Sequence, residues 1–102
     1  MGGDGARGTN PEQLFAAGYS ACFAGALGLV ARTQGVNPGP FTISADVNFL
    51  KGDDGYGIGV KLIGTFPELE KSKAEALMTA AHQVCPYSKA TRGNIPVELT
   101  VV

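Results

Sequence analysis

The chain is poor in the residues that usually build a metal centre or a disulfide scaffold. Its 102 residues include two cysteines, Cys22 and Cys85, and one histidine, His82. A zinc site needs closely spaced pairs of such ligands, so we expect no metal, and nothing else in the sequence indicates a cofactor. The cysteines lie far apart and no export signal accompanies them. Free thiols or a redox pair are therefore more typical of this pattern than a structural disulfide.

Charge is also scarce, because charged residues make up 17% of the chain and the net charge is −1. Without a basic surface, nucleic acid is not an expected partner. The uncharged run Leu14–Ala31 approaches the length of a membrane span, but glycines and a serine dilute it and its flank is acidic. Asp4 and Glu12 occupy the place where a signal peptide carries basic residues. We expect a cytoplasmic protein with no membrane partner.

One stretch, Asn10–Gln34, organises the rest of the chain. Asn10 is a good N-cap, Pro11 suits the first helical position, and Gln13 completes a capping box. Gly35 supplies a left-handed stop. Apolar residues run around the whole cylinder, so we expect a central helix that is buried on all sides. A domain of this size has a modest core, which makes self-association the natural way to cover that helix.

Two alternating stretches, Phe41–Phe49 and Tyr56–Phe66, flank the turn Lys51–Gly55 and predict an antiparallel hairpin with one wet face. A capping box formed by Ser72 and Glu75 predicts a second helix.

That helix should end near Cys85, because Pro86 disfavours helical geometry at the residue before it. We expect a polar connection over Lys89–Asn94 and a last strand over Val97–Val101. The sequence therefore predicts a single α+β domain over residues 1–102. Its central helix is accompanied by a second helix packed on antiparallel strands.

Cys22 lies near the middle of the first helix, where a cysteine is more often inert packing than a nucleophile. Burial without a nearby cation raises the pKa of a thiol, so reactivity of Cys22 would require an imported positive charge. Glu12 precedes it by ten residues, roughly 15 Å along a straight helix, and so cannot contact it within one chain. As a first-turn carboxylate, Glu12 also suits the helix dipole.

Three aromatic residues, Tyr19, Phe23 and Tyr87, are interpreted as core side chains that could also line an apolar pocket. His82 is interpreted as a half-exposed helical histidine, and Arg92 as a solvated loop charge.

Three segments, Asn10–Phe23, His82–Ser88 and Thr91–Ile95, resemble the signature segments of the organic hydroperoxide resistance proteins (Ohr) of the OsmC/Ohr superfamily. The resemblance covers essentially the whole chain. It implies an intertwined homodimer, or a higher oligomer, with two sites at the subunit interface. Matched by position, Cys22 is the peroxidatic thiol, Cys85 is the resolving thiol, and Glu12 is the carboxylate that holds a catalytic arginine.

The chemistry implied by the resemblance is a thiol-dependent peroxidase. The Cys22 thiolate attacks the hydroperoxide, leaving an alcohol and a sulfenic acid, and Cys85 condenses with that acid to a disulfide. A dithiol, in this family a lipoyl group carried on a protein, then reduces the disulfide. The expected substrates are bulky organic or fatty-acid hydroperoxides, which suit an apolar surround of Tyr19, Phe23 and Tyr87.

The chain departs from the family pattern at its beginning. Family members carry a further N-terminal segment that brings the arginine to the peroxidatic cysteine, and Met1 falls where that segment ends. Neither Arg7 nor Arg32 matches the position of that arginine. We therefore expect slow reaction with peroxide. Two alternatives stay open: a catalytically silent association module, and a redox sensor whose output is the Cys22–Cys85 disulfide.

Overall fold

A computed structural model describes residues 10–102, so Arg7 lies outside the described part of the chain. The elements follow in the order α1 (Pro11–Gln34), β1 (Thr42–Gly52), β2 (Gly55–Thr65), α2 (Lys71–Val84), α3 (Pro86–Thr91) and β3 (Val97–Val101). Helix α1 packs on β1 and against α2, and the core lies between these helices and the sheet, where Val60 and Leu62 of β2 are buried. The prediction of an α+β fold with a central helix is confirmed.

Helix α1 begins and ends as its caps predict. The Asn10 side chain accepts a hydrogen bond of 2.8 Å from the Gln13 N–H, and Gly35 closes the helix with φ of 71°. Burial on all sides is wrong for the single chain, because Leu14 is 65% and Leu29 47% exposed. The buried stripe consists of Tyr19, Phe23, Ala26, Leu27, Val30 and Ala31.

By length and hydropathy α1 could cross a membrane, but the core helix of a soluble protein passes the same test. One such helix is weak evidence for a membrane span, and 33% of its apolar window is buried inside the protein.

The sheet has the order β1-β2-β3. The β1–β2 pair is the predicted antiparallel hairpin and closes at Gly52 and Gly55, so both strands extend further into the turn than the alternation predicts. The predicted antiparallel strands are β1 and β2, but the sheet is mixed, because β3 runs parallel to β2, with Val97 opposite Val60. The physical reason is the connection: α2 and α3 carry the chain back across the sheet before β3 begins.

Two predictions for the second half of the chain need correction. Helix α2 begins at Lys71 with Glu70 as N-cap, and the Ser72 hydroxyl donates to the Glu70 carboxylate instead of capping the helix. The predicted polar connection is partly helical, because α3 extends from Pro86 to Thr91. Proline is well suited to the first position of such a helix, since no N–H is needed there.

Candidate active site

The structure brings the two cysteines together. The thiol of Cys85 donates a hydrogen bond to the sulfur of Cys22, with the two Sγ atoms 3.3 Å apart, and both residues are free thiols. Cys22 is half-buried in α1, whereas Cys85 is fully buried between α2 and α3. A disulfide bond is about 2 Å long, so the sulfur atoms need to approach by only about 1.3 Å to form one.

Local sequence explains why Cys85 lies at this junction. Pro86 restricts the preceding residue to extended geometry, and Cys85 has φ of −62° and ψ of 125°. The chain therefore leaves the axis of α2 at Cys85 and starts α3 in a new direction. That change of direction places the Cys85 side chain beside the middle of α1.

The environment of Cys22 raises the pKa of its thiol. Burial is the main cause, while the backbone N–H of Tyr87 lowers the pKa. Within residues 10–102 no cation is among the groups that shift this pKa. The expectation of a raised pKa is thus met, and Cys22 is mostly protonated at neutral pH.

An aromatic cluster lies beside the thiols. The rings of Phe15, Tyr19 and Tyr87 pack in a triangle with centroid distances of 5.7 to 6.0 Å. A Cβ atom at Gly18 would lie 3.3 Å from the Tyr87 hydroxyl, so the bare backbone of α1 makes room for that ring. Our sequence reasoning missed Phe15. Its spacing from Tyr19 and Cys22 along one helix face could have identified it.

A buried hydrogen-bond network, which our sequence reasoning also missed, connects the three helices. The Tyr19 hydroxyl lies 2.8 Å from Ser88 Oγ and 3.1 Å from Thr91 Oγ1, and His82 Nδ1 lies 2.7 Å from Ser88 Oγ. Tyr19 and Ser88 are fully buried, and Thr91 is 6% exposed. The one available signal was the spacing of Ser88 and Thr91, which places both hydroxyls on one face of a single helical turn.

His82 is half-exposed, as predicted, and its pKa is lowered by burial and by the positive charge of Arg92. Arg92 is exposed but is more than a solvated charge, because its guanidinium donates to the His82 carbonyl at the end of α2. Among the described residues no group of three or more His, Cys, Asp or Glu side chains could hold a metal ion.

A family model described as OsmC-like protein matches residues 2–100. The chain belongs to the OsmC/Ohr family. It is 50% identical over 102 residues to an organic hydroperoxide resistance protein of Xanthomonas axonopodis pv. citri, covering 99% of this chain and 72% of that relative. It is 51% identical to the Bacillus subtilis protein OhrB, covering 94% of this chain and 71% of OhrB.

Solved structures of the family share the fold. The crystal structure of Bacillus subtilis OhrB matches with a TM-score of 0.87 at 49% identity, over 93% of this chain and 71% of that one. An organic hydroperoxide resistance protein from Elizabethkingia anophelis matches with a TM-score of 0.85 at 49% identity, over 91% and 67% of the two chains. The resemblance to the Ohr branch is therefore confirmed.

Glu12, the third residue matched to the OsmC/Ohr pattern, does not lie at the thiols. Glu12 and Cys22 lie ten residues apart on the continuous helix α1, roughly 15 Å along its axis. Glu12 instead borders an apolar cleft of about 500 Å³. Tyr19 and Phe23 have no exposed surface, which fits their interpretation as core residues, while Tyr87 is 40% exposed.

Proposed function

We propose that the chain is a thiol-dependent peroxidase that reduces organic hydroperoxides to alcohols through Cys22 and Cys85. The observation that carries this proposal is the 3.3 Å contact between their sulfur atoms. The names of the relatives, which refer to organic hydroperoxide resistance, supply the substrate class. A cytoplasmic location stays a prediction.

Burial supports a division of labour between the thiols. Cys22 has solvent-accessible surface and Cys85 has none, so a hydroperoxide reaches Cys22 first. The Cys22 thiolate attacks the outer peroxide oxygen, the O–O bond breaks, and the alkoxide takes up a proton to leave as the alcohol. Cys22 is oxidised to a sulfenic acid, and the hydroperoxide is reduced by two electrons.

Cys85 then resolves the sulfenic acid. Its sulfur attacks the Cys22 sulfur, an S–S bond forms, and the sulfenic oxygen leaves as water with the thiol proton. A dithiol of the lipoyl class returns both cysteines to thiols by exchange and is itself oxidised to a disulfide. Because the attacking sulfur is already in contact with its target, this step needs little rearrangement.

Two further roles belong to the proposal. Tyr87 stacks on Phe15 and is 40% exposed, so it offers an apolar surface to a bulky organic hydroperoxide. By likeness to the family, Glu12 holds an arginine guanidinium against the peroxidatic sulfur. Glu12 is too far from Cys22 along one helix to contact it. Either a long side chain must therefore bridge them, or a second copy of the chain must contribute its own Glu12. The proposed assembly is therefore a homodimer or a higher oligomer.

Intact mass measurement after one equivalent of cumene hydroperoxide tests the mechanism. The parent should lose two hydrogens, Cys85→Ser should gain one oxygen at residue 22, and Cys22→Ser should keep its mass. Serine is nearly isosteric with cysteine, so the fully buried Cys85 site should keep its packing. An unchanged parent mass after minutes would contradict the proposal and favour a silent association module.

A turnover assay separates the enzyme from a redox sensor, which would use the same disulfide. With excess dihydrolipoamide, an enzyme consumes many equivalents of hydroperoxide per chain. A sensor forms the disulfide once and then consumes no more. Consumption that stops at one equivalent despite the dithiol would therefore contradict the peroxidase proposal.

A further inference from the structure

We propose that Tyr19, Ser88, Thr91 and His82 are positioning residues that hold Cys85 against Cys22, so that their hydrogen bonds set the rate of disulfide formation. This inference rests on the proposed function, since it concerns its second chemical step. None of the four side chains is assigned to bind the substrate in this role. They act through the placement of Cys85.

The network surrounds Cys85 along the chain. His82 lies three residues before it on α2, and Ser88 lies three residues after it on α3. His82 Nδ1 is hydrogen-bonded to Ser88 Oγ, and Ser88 Oγ is also hydrogen-bonded to the Tyr19 hydroxyl. Tyr19 lies three residues before Cys22 on α1, so the two segments that flank Cys85 are tied to the helix segment that carries Cys22.

The proton order of the network works with His82 neutral or charged. If His82 Nδ1 donates to Ser88, then Ser88 donates to Tyr19, Tyr19 donates to Thr91, and Thr91 donates to the Ser88 carbonyl, to which it lies 3.2 Å. When neutral Nδ1 is the acceptor, the order is reversed. Thr91 then donates to Tyr19, Tyr19 donates to Ser88, and Ser88 donates to His82 Nδ1. Every buried hydroxyl keeps a partner in both orders, so the network persists when His82 titrates.

The two thiols depend on this network to different degrees. Cys22 is fixed by the backbone hydrogen bonds of α1, a continuous helix of 24 residues. Cys85 lies between two helices, where its position depends on how α3 is held to the other helices. Removing one hydroxyl leaves buried partners unsatisfied and loosens that attachment. The rate of disulfide formation by Cys85 should therefore fall, whereas the rate of the first reaction at Cys22 should stay the same.

A thiol assay without peroxide tests the inference. The reagent is the symmetrical disulfide of thionitrobenzoate, which reacts with the Cys22 thiolate. A mixed disulfide forms at Cys22 and one thionitrobenzoate is released. Attack by Cys85 on the Cys22 sulfur then forms the protein disulfide and releases a second thionitrobenzoate. In Tyr19→Phe the first release should stay within about twofold of the parent, and the second should slow about tenfold, because small misplacements of reacting groups cost large rate factors.

Matched variants separate positioning from packing. Thr91→Val should slow the second release like Tyr19→Phe, whereas Thr91→Ser, which retains the hydroxyl, should restore it. Tyr56→Phe removes the same group from an exposed tyrosine of the hairpin and should change neither phase.

A second release at the parent rate in both Tyr19→Phe and Thr91→Val would overturn the inference. Equal slowing of both phases would also overturn it, since that result indicates a general loss of structure. Because the assay contains no hydroperoxide, either result can be told apart from failure of the proposed peroxidase. In peroxide, the Cys22 sulfenic acid should accumulate in Tyr19→Phe long enough to be trapped with dimedone.

Discussion

Cys85 Sγ lies 3.3 Å from Cys22 Sγ, although the two residues are 63 positions apart in the chain. The contact joins the middle of one helix to the junction of two others. Both residues are free thiols, and their sulfur atoms need to approach by only about 1.3 Å to form a disulfide. The reactivity of the pair should therefore be governed by the ionisation of Cys22 and by the mobility of Cys85.

The alkylation rate of Cys22 should rise with pH along a titration curve. The midpoint of that curve should lie above that of an unperturbed cysteine. Burial raises the pKa of Cys22, and only the thiolate reacts. Iodoacetamide alkylation, assigned to residue 22 by mass spectrometry across pH, measures the midpoint. A parent midpoint below that of a cysteine in an unstructured peptide would contradict the prediction.

The free energy of unfolding should fall as the pH drops from about 7 to about 5, in part because of His82. Its pKa is lower in the folded protein than in the unfolded chain. The unfolded chain therefore binds the proton more readily, and the stabilisation is complete above the unfolded pKa of about 6.5 and lost as the pH falls through the lower, folded pKa. His82→Asn, which can still bond Ser88, should lose less stability over this range in urea unfolding. Equal pH dependence in both proteins would contradict the assignment.

Gly64→Ala should lower the free energy of unfolding by about 1 to 3 kcal/mol. A Cβ atom there would lie 2.6 Å from the Phe66 ring and 2.8 Å from Met78 Sδ, and both side chains are buried. Gly57→Ala is the matched control on the same strand, where a Cβ atom would meet nothing within 4 Å. The control should stay within about 1 kcal/mol of the parent in urea unfolding. Similar losses in both variants would indicate a backbone effect instead of a clash.

Leu29→Lys should weaken self-association. Leu29 is 47% exposed on α1, and a charge on this apolar surface would have to be desolvated if a second copy covered it. Thr79→Lys places the same charge on an exposed position of α2 and should leave association unchanged. Sedimentation velocity over a range of concentrations measures the effect. A parent that stays monomeric, or variants with equal association, would contradict this prediction.

Local patterns predicted the elements best at helix caps and at proline. Helix α1 begins after Asn10 and ends before Gly35 as expected, and Pro86 ends α2 at Cys85. The capping box at Ser72 was wrong, because Glu70 offers the serine hydroxyl a competing acceptor. The parallel pairing of β3 was missed because strand alternation defines faces and contains no information about direction.

The sequence by itself determined the limits of α1, the end of α2, the hairpin, the family and the two thiols, because caps, alternation, proline geometry and signature segments are all local properties of the chain. Only the tertiary structure decided that Cys22 and Cys85 touch and that Tyr19 bonds Ser88 and Thr91. Each of these depends on how α1, α2 and α3 pack. Such contacts join residues that are distant in sequence, and packing fixes their distances.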